Sequence, residues 1–328
     1  MSKSGRGRGP VGRDVQISKA MSLLLRHAAD KEGVHIDAQG YANVADVLAW
    51  RKLKSLKVTF EEVLAAVDTS DKKRFALLYN STINENDETA QESEAETEAV
   101  ESEDPFAATS RALEVAKSKK DMDPSHFLIR ATQGHSLKTV EAAQLLKQIV
   151  LPGDSRATQN DATITTSVPE TVVHGTFHGA WQQILDAGGL KPMSRNHVHF
   201  ATGPALASIM PDGPEGKTII KNDTGKSQGV ISGMRKDAQI LIYIDINRAL
   251  ASGVPFWISE NGVVLSEGID TEVNGTTSKL VPLEFFDVVV ERQKGTGLLM
   301  RQGKPTMDTP EWMKNAPLPH GKNRPKRP

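Results

Sequence analysis

The feature that most constrains the fold is an acidic tract in the N-terminal half of the 328-residue chain. No lysine or arginine occurs between Arg74 and Arg111, and ten acidic residues fall within Glu85–Asp104. Such a segment lacks the apolar side chains that a core needs, so we predict a disordered insertion from about 81 to 124. Without those ten acids the formal net charge of −1 would become +9. That balance favours an anionic partner such as nucleic acid, although a solvated surface would produce it as well.

The chain contains no cysteine. This absence excludes a disulfide framework, a zinc ribbon, an iron–sulfur cluster and a thiol nucleophile. No apolar stretch approaches the roughly 20 residues of a membrane helix, and no apolar segment opens the sequence. We therefore expect a soluble monomer in the cytoplasm or nucleus, with no membrane partner.

Changes of pattern divide the chain into two lobes with flexible ends. Residues 1–13 and 293–328 are predicted to be a disordered basic N-terminus and a disordered basic tail. Residues 14–150 form a first lobe, in which short amphipathic helices precede a strand at Arg74–Tyr79, an order that resembles a winged helix. Residues 151–168 are interpreted as a linker. Many short strands and few helices over 169–292 predict a β-rich second lobe, so the fold class is α+β.

Individual elements follow from local signals. A single helix is predicted over Val44–Leu53, and a short helix over Val140–Ile149. Thr59 and Glu62 have the spacing of a capping box, which predicts that a helix opens there. The apolar run Ala238–Ile246 predicts a buried strand.

Several familiar motifs are present only in part. Gly7, Gly9 and Gly12 form a G-x-G-x-x-G, but no strand can precede it so close to the N-terminus. His197 and His199 would share one face of a strand and could ligate a metal, yet no acidic cluster or cysteine supports them. We expect no metal site.

The remaining candidates are basic and polar residues at the ends of predicted elements. Arg26 and His27 end the first helix, Arg74 begins a strand, and Arg195 lies in a loop beside two histidines. Each has an ordinary structural explanation when taken alone, such as a cation at a helix C-terminus. Their joint arrangement along the chain favours a functional role.

In that arrangement the chain resembles the RNA 2′-phosphotransferases. Six motifs occur in the order found in that family: Ile17–His27, Asp71–Phe75, Ala131–Ser136, His174–Thr176, Met193–His199 and Glu260–Val263. The resemblance covers about residues 14–80, 125–150 and 170–292. The chain departs from the family pattern in its acidic insertion, in a longer stretch over Met210–Gly229 and in its basic tail.

The resemblance implies an N-terminal winged-helix-like RNA lobe and a C-terminal ADP-ribosyltransferase-like lobe that binds NAD⁺. It also implies an NAD-dependent tRNA-splicing enzyme that removes the 2′-phosphate left on ligated tRNA. A phosphate oxygen attacks NAD⁺ and nicotinamide leaves; the ribose O2″ then attacks phosphorus. The products are 2′-hydroxyl RNA and ADP-ribose 1″,2″-cyclic phosphate, formed through a 2′-phospho-ADP-ribosylated RNA, without a metal.

The resemblance also assigns roles to residues of this chain. The catalytic set implied is Arg26, His27, Arg74 and Arg195. NAD⁺ would be bound by His174, Gly175, Thr176, His197, His199, Asn261 and Gly262, with Gly175 allowing close approach. RNA or its phosphate would contact Lys19, Gln133, Gly134, His135 and Ser136.

Two alternatives remain open from the sequence. One is an ADP-ribosyltransferase that caps phosphorylated nucleic-acid ends, which shares the first step. The other is a non-catalytic module that binds RNA and ADP-ribose, which would not need all four catalytic groups.

Overall fold

The computed structural model describes residues 12–80, 105–158, 161, 163–213, 233–235, 237–273 and 275–318. It divides into two compact units, residues 1–145 and 146–328. Both contain helices and sheets, so the predicted α+β class is confirmed. Among the described residues, no helix is long and apolar enough to cross a membrane.

The first unit packs short helices against one three-stranded sheet. Its helices are α1 (Arg13–Leu23), α2 (Ala29–Glu32), α3 (Val44–Ala49), α4 (Arg51–Ser55), α5 (Phe60–Asp68), α6 (Pro105–Lys117) and α7 (Ala142–Leu145). Its strands are β1 (Tyr41–Asn43), β2 (Phe75–Tyr79) and β3 (Phe127–Ala131). They form an antiparallel sheet in the order β1-β3-β2.

Local sequence explains most of these boundaries. Thr59 and Glu62 form both hydrogen bonds of the predicted capping box at the start of α5. The single helix predicted over 44–53 is wrong: α3 and α4 are separated at Trp50, which has an extended backbone with ψ 129°. This break buries the indole, and its Nε1 donates to Glu32 at 2.9 Å.

The prediction of disorder from 81 to 124 is wrong for its described part. Residues 81–104 lie outside the described residues, but α6 follows directly and packs on β2. Its buried face includes Ala112, Leu113 and Ala116. The Thr109 hydroxyl accepts a hydrogen bond from the Leu77 amide at 3.0 Å. Small apolar residues at helical spacing made this face, but the acidic composition beside it obscured the pattern.

Replacement of residues 81–104 by a short glycine–serine linker should leave the free energy of unfolding unchanged. Extending the replacement through Lys117 should lower it by at least about 3 kcal/mol, because β2 loses its buried cover. Urea unfolding of the two variants against the unaltered protein measures the difference. Equal stability of the two variants would show that α6 contributes nothing.

The described residues of the second unit form three sheets and four short helices. Its strands are β4 (Lys147–Ile149), β5 (Ile164–Thr165), β6 (Val173–Thr176), β7 (Gly189–Leu190), β8 (Val198–Phe200), β9 (Ile240–Ile244), β10 (Phe256–Ile258), β11 (Val264–Ser266), β12 (Ile269–Val273), β13 (Thr276–Pro282), β14 (Phe286–Glu291), β15 (Gly297–Arg301) and β16 (Lys304–Pro305). Its helices are α8 (His178–Asp186), α9 (Leu206–Ile209), α10 (Ile246–Ala251) and α11 (Glu311–Lys314). The sheet orders are β5-β4-β10-β11-β8, β12-β13-β7 and β16-β15-β14-β9-β6.

The predicted strand over Ala238–Ile246 is the centre of this unit's core. All five residues of β9 are buried, because β14 pairs on one side and β6 on the other. The core also includes Phe200, Phe256 and Trp181. Val198 and Phe200 anchor β8 in this core, and β6 is held beside it by its pairing with β9.

Three further boundaries differ from the predictions. The short helix expected over 140–149 is only α7, because β4 begins at Lys147. The expected linker at 151–168 contains β5, which pairs with β4 in parallel. The expected disordered tail contains β15, β16 and α11 up to residue 318, and its last ten residues lie outside the described residues. Likewise α1 begins at Arg13, within the predicted disordered N-terminus, of which residues 1–11 are not described.

Candidate active site

Arg26 and His27 lie in an unusual part of the backbone. The chain forms a π-helical turn over Leu24–Ala28, directly after α1. Leu24 and Leu25 are fully buried, whereas Arg26 and His27 are only partly buried. A π-turn is rare and is often found at functional sites, because the extra residue changes the direction in which side chains leave the helix. Two apolar residues thus anchor the turn that presents both predicted catalytic groups.

The loop after β3 ties this turn to Arg74. The Ser136 amide donates to the Arg26 carbonyl at 2.9 Å, and the Thr132 amide donates to the Arg74 carbonyl at 3.0 Å. The Thr132 hydroxyl also bonds the Lys73 carbonyl. Since β2 and β3 pair, Arg74 and this loop share one end of the sheet. Three motifs that are distant in sequence therefore meet in the first unit.

Ser136 also orients the His27 ring. The Ser136 Oγ lies 2.9 Å from Nδ1 of His27 and 3.5 Å from the Arg26 carbonyl. This contact orients the imidazole and engages Nδ1, so Nε2 is the ring nitrogen on the side away from Ser136.

The other predicted RNA-binding residues differ in how far they are exposed to solvent. Lys19 is exposed on α1, and Gln133 is partly exposed. Gly134 has a φ of +89°, a conformation that favours glycine. His135 is only 3% exposed and faces Gly40 in the interior. Direct contact with a large ligand is thus open to Lys19, Gln133 and Ser136, and not to the His135 ring.

In the second unit, three predicted histidines form a chain across two neighbouring segments. Nδ1 of His174 on β6 bonds the His199 carbonyl at 2.9 Å, and Nδ1 of His199 bonds the His197 carbonyl at 3.0 Å. A carbonyl only accepts, so both Nδ1 atoms carry the proton and both rings are held in one tautomer. Burial lowers the pKa of His197, with a smaller opposing effect of Glu267. Its ring packs against Trp257 at 5.5 Å.

Asn261 and Gly262 occupy the turn between β10 and β11. The Ser259 hydroxyl lies 2.8 Å from Oδ1 of Asn261, and the Gly262 amide donates to the Ser259 carbonyl. Gly262 has a φ of +74°, which this turn requires. Because β11 pairs with β8, the turn belongs to the same sheet as His199.

Arg195 is accompanied by a second arginine that the sequence analysis missed. Arg195 is exposed in the loop before β8, and Arg235 is close enough to act on it electrostatically. Burial by the surrounding protein atoms, followed by the charge of Arg235, lowers the pKa of Arg195 below its ordinary value. The group remains protonated near neutral pH, since that shift starts far above neutrality. The guanidinium of Arg235 also lies 5.6 Å from the Phe177 ring centre.

Gly175 is required by packing within the protein. A Cβ at this position would lie 2.4 Å from Cγ of Met234 and 2.7 Å from Cβ of Ala238. From the sequence, the missing side chain at Gly175 was expected to leave room for NAD⁺. On this side of the strand, Met234 and Ala238 occupy that room. Thr176 is buried beside it, and its carbonyl accepts from the Gln239 amide.

Some functional contacts had no sequence signal. Arg235 and Met234 reach the histidine strands only through tertiary folding, and Thr132 resembles any polar residue after a strand. Within the described part of the chain, no group of three or more histidine, aspartate or glutamate side chains could hold a metal ion.

The sequence of the chain is similar to those of a known protein family. The model of the "RNA 2′-phosphotransferase, Tpt1 / KptA family" matches residues 12–268. The chain belongs to this family. It is 29% identical over 262 residues to a tRNA 2′-phosphotransferase of Saccharomyces cerevisiae, covering 80% of this chain and 82% of the relative. It is 32% identical over 257 residues to tRNA 2′-phosphotransferase 1 of Homo sapiens, covering 78% and 70%. The Danio rerio protein of that name is 29% identical over 267 residues, covering 81% and 84%.

Proposed function

We propose that the protein removes a 2′-phosphate from RNA, with NAD⁺ as the co-substrate that accepts the phosphate. The physiological substrate is then ligated tRNA, in line with the names of its relatives. The observation that carries the proposal is the convergence of Arg26, His27 and Arg74 on one end of the first unit's sheet.

The first unit has the chemistry of a phosphate site. A 2′-phosphate monoester is nearly dianionic at neutral pH, and arginine binds two of its oxygens at once. Arg26 and Arg74 supply two such groups, and Nε2 of His27 can exchange a proton with the phosphate or with the departing 2′ oxygen. The unit's element order and its β1-β3-β2 sheet support a winged-helix-like RNA lobe.

The second unit has features that suit a dinucleotide. Arg195 and Arg235 bring two positive charges together, which matches the pyrophosphate of NAD⁺. The fixed tautomers of His174 and His199 offer defined hydrogen-bond partners, and Asn261 adds an amide from the same sheet. An ADP-ribosyltransferase-like lobe is the fold we propose for this unit.

The reaction proceeds in two steps in this proposal. A phosphate oxygen first attacks the anomeric carbon of the nicotinamide ribose, and nicotinamide leaves. The O2″ hydroxyl then attacks phosphorus, and the RNA 2′ oxygen leaves. The second step breaks an ester with a poor leaving group, so it depends on cations that balance the charge developing at phosphorus.

The decisive experiment is incubation with NAD⁺ labelled in the adenylate and an oligonucleotide carrying one internal 2′-phosphate. We expect 2′-hydroxyl RNA, nicotinamide and ADP-ribose 1″,2″-cyclic phosphate. ADP-ribose that stays on the RNA would favour an ADP-ribosyltransferase that caps nucleic-acid ends. Binding without any product would favour a non-catalytic module.

Replacement of Ser136 by alanine should reduce kcat about fivefold and leave KM for RNA nearly unchanged. The lost hydrogen bond to His27 is worth about 1 kcal/mol, and the ring loses its fixed orientation. Ser136→Thr keeps the hydroxyl and should restore most of the activity. If Ser136→Thr loses as much activity as Ser136→Ala, Ser136 has a packing role instead. The pH profile of kcat would then match that of the unaltered protein.

A further inference from the structure

We propose that helix α4 and the turn after it, Arg51–Lys57, bind the phosphate backbone of the RNA that flanks the reacting 2′-phosphate. The inference rests on the proposed function for the identity of the RNA. We call this segment the basic helix.

The basic helix concentrates positive charge on an exposed surface. Its sequence, Arg-Lys-Leu-Lys-Ser-Leu-Lys, holds four cations in seven residues and no acid. The four cations are Arg51, Lys52, Lys54 and Lys57, and all are exposed. Leu53 between them is fully buried and holds the segment against the unit. A rigid cluster of exposed lysines fits a polyanion, because each phosphate contact releases bound counterions.

The segment is attached to α2, the helix that directly follows the π-turn carrying Arg26 and His27. Glu32, the last residue of α2, bonds both Nε1 of Trp50 and the guanidinium of Arg51 at 2.9 Å. It follows His27 by only five residues, across the end of the π-turn and the single turn of α2. RNA whose 2′-phosphate lies at Arg26 and His27 can therefore reach the basic helix with its neighbouring nucleotides.

The charge of the next helix, α5, is opposite in sign to that of the basic helix, and this supports the assignment. In a helix-turn-helix the second helix enters the nucleic-acid groove. Here that helix is α5, which carries Glu61, Glu62 and Asp68 and no lysine or arginine. Glu62 pairs with Arg13 and Asp68 pairs with Lys117, so these neighbouring cations are already engaged by α5. We therefore infer that the RNA passes on the side of α4.

The test compares two double variants that each remove two positive charges from the full chain. Lys52→Gln with Lys54→Gln alters the basic helix. Lys119→Gln with Lys120→Gln alters two exposed lysines, of which Lys119 lies near Glu61 of α5. Binding of a 2′-phosphorylated RNA of about 20 nucleotides is measured by fluorescence anisotropy between 50 and 200 mM salt.

For the basic-helix variant we expect Kd at 50 mM salt to rise about tenfold, and the salt slope to fall by ~1.4 for two single-strand contacts. The control should match the unaltered protein. Turnover of a 2′-phosphorylated dinucleotide should be the same in all three proteins, because it is too short to reach the basic helix. An unchanged slope, or an equal fall in the control, would overturn the inference.

The same experiment separates this inference from the proposed function. If the unaltered protein removes the 2′-phosphate but the basic-helix variant keeps its slope, the function stands and the inference fails. If the unaltered protein removes no phosphate but the slope falls only in the basic-helix variant, the RNA surface stands and the proposed function fails.

Discussion

Replacing Arg26, Arg74 or Arg195 by alanine should slow the second chemical step at least about tenfold more than the first. In the proposed reaction the first step would expel nicotinamide, an intrinsically good leaving group, and would need little beyond placement of the phosphate. The second would expel a ribose oxygen, so charge on phosphorus would have to be balanced by the arginines. A tenfold difference corresponds to ~1.4 kcal/mol of barrier. His27→Ala should behave in the same way if Nε2 protonates the departing oxygen.

The measurement is a single-turnover reaction in which the RNA is resolved by electrophoresis. The variants should accumulate 2′-phospho-ADP-ribosylated RNA, which should be nearly absent with the unaltered protein. Arg248→Ala is a suitable control, because Arg248 is an exposed arginine paired with Glu284 at 3.6 Å. If every variant lost both steps in proportion, with no such RNA species, the arginines would act in binding alone.

Replacing Glu291 by alanine should lower the free energy of unfolding by about 3–5 kcal/mol, because it removes a buried carboxylate that several hydrogen-bond donors share. Glu291 is fully buried at the end of β14 and lies 2.9 Å from Nε2 of His178. It also accepts from the amides of Gln293, Lys294 and Thr296 at 2.7 to 2.9 Å. Its loss leaves these donors without their acceptor and loosens the connection to β15.

The effect should depend on pH in a defined direction. Burial by itself would raise the pKa of Glu291, but the hydrogen bonds from Lys294, His178, Thr296 and Gln293 outweigh it and hold the pKa below 4.5. A carboxyl with a lowered pKa stabilises the fold above its unfolded value, and this contribution is lost as the pH falls through the folded value. The difference between the two proteins should thus be constant above pH 5 and shrink in acid.

Urea unfolding followed by tryptophan fluorescence between pH 3 and 8 measures both effects. Glu311→Ala is the matched control, since its carboxylate is 79% exposed and pairs with Lys314 on the surface. It should change the free energy of unfolding by less than about 0.5 kcal/mol. A cost below about 1 kcal/mol for Glu291→Ala would contradict the interpretation of a buried, charged hydrogen-bond centre.

Sequence patterns predicted the elements whose signals are local. The apolar content of β2 and β9 predicted those strands, and the Thr59–Glu62 spacing predicted the start of α5. Patterns failed where a neighbour decided the outcome. The helix α6 was masked by the acidic composition that precedes it, and β15 became a strand because β14 offered it a partner.

The sequence by itself determined the family, since six motifs in register specify it without any structure. It also determined which residue types are available for chemistry: arginines and histidines, with no cysteine. Only the tertiary structure decided which of them meet. The loop after β3 joins Arg26 and Arg74 through backbone hydrogen bonds and His27 through the Ser136 hydroxyl, and Arg235 comes beside Arg195. The His135 ring is buried in the interior, and the Met234 side chain occupies the space next to Gly175. The reason is physical: a motif records residues near in sequence, whereas burial and hydrogen bonding depend on segments that approach each other only when the chain folds.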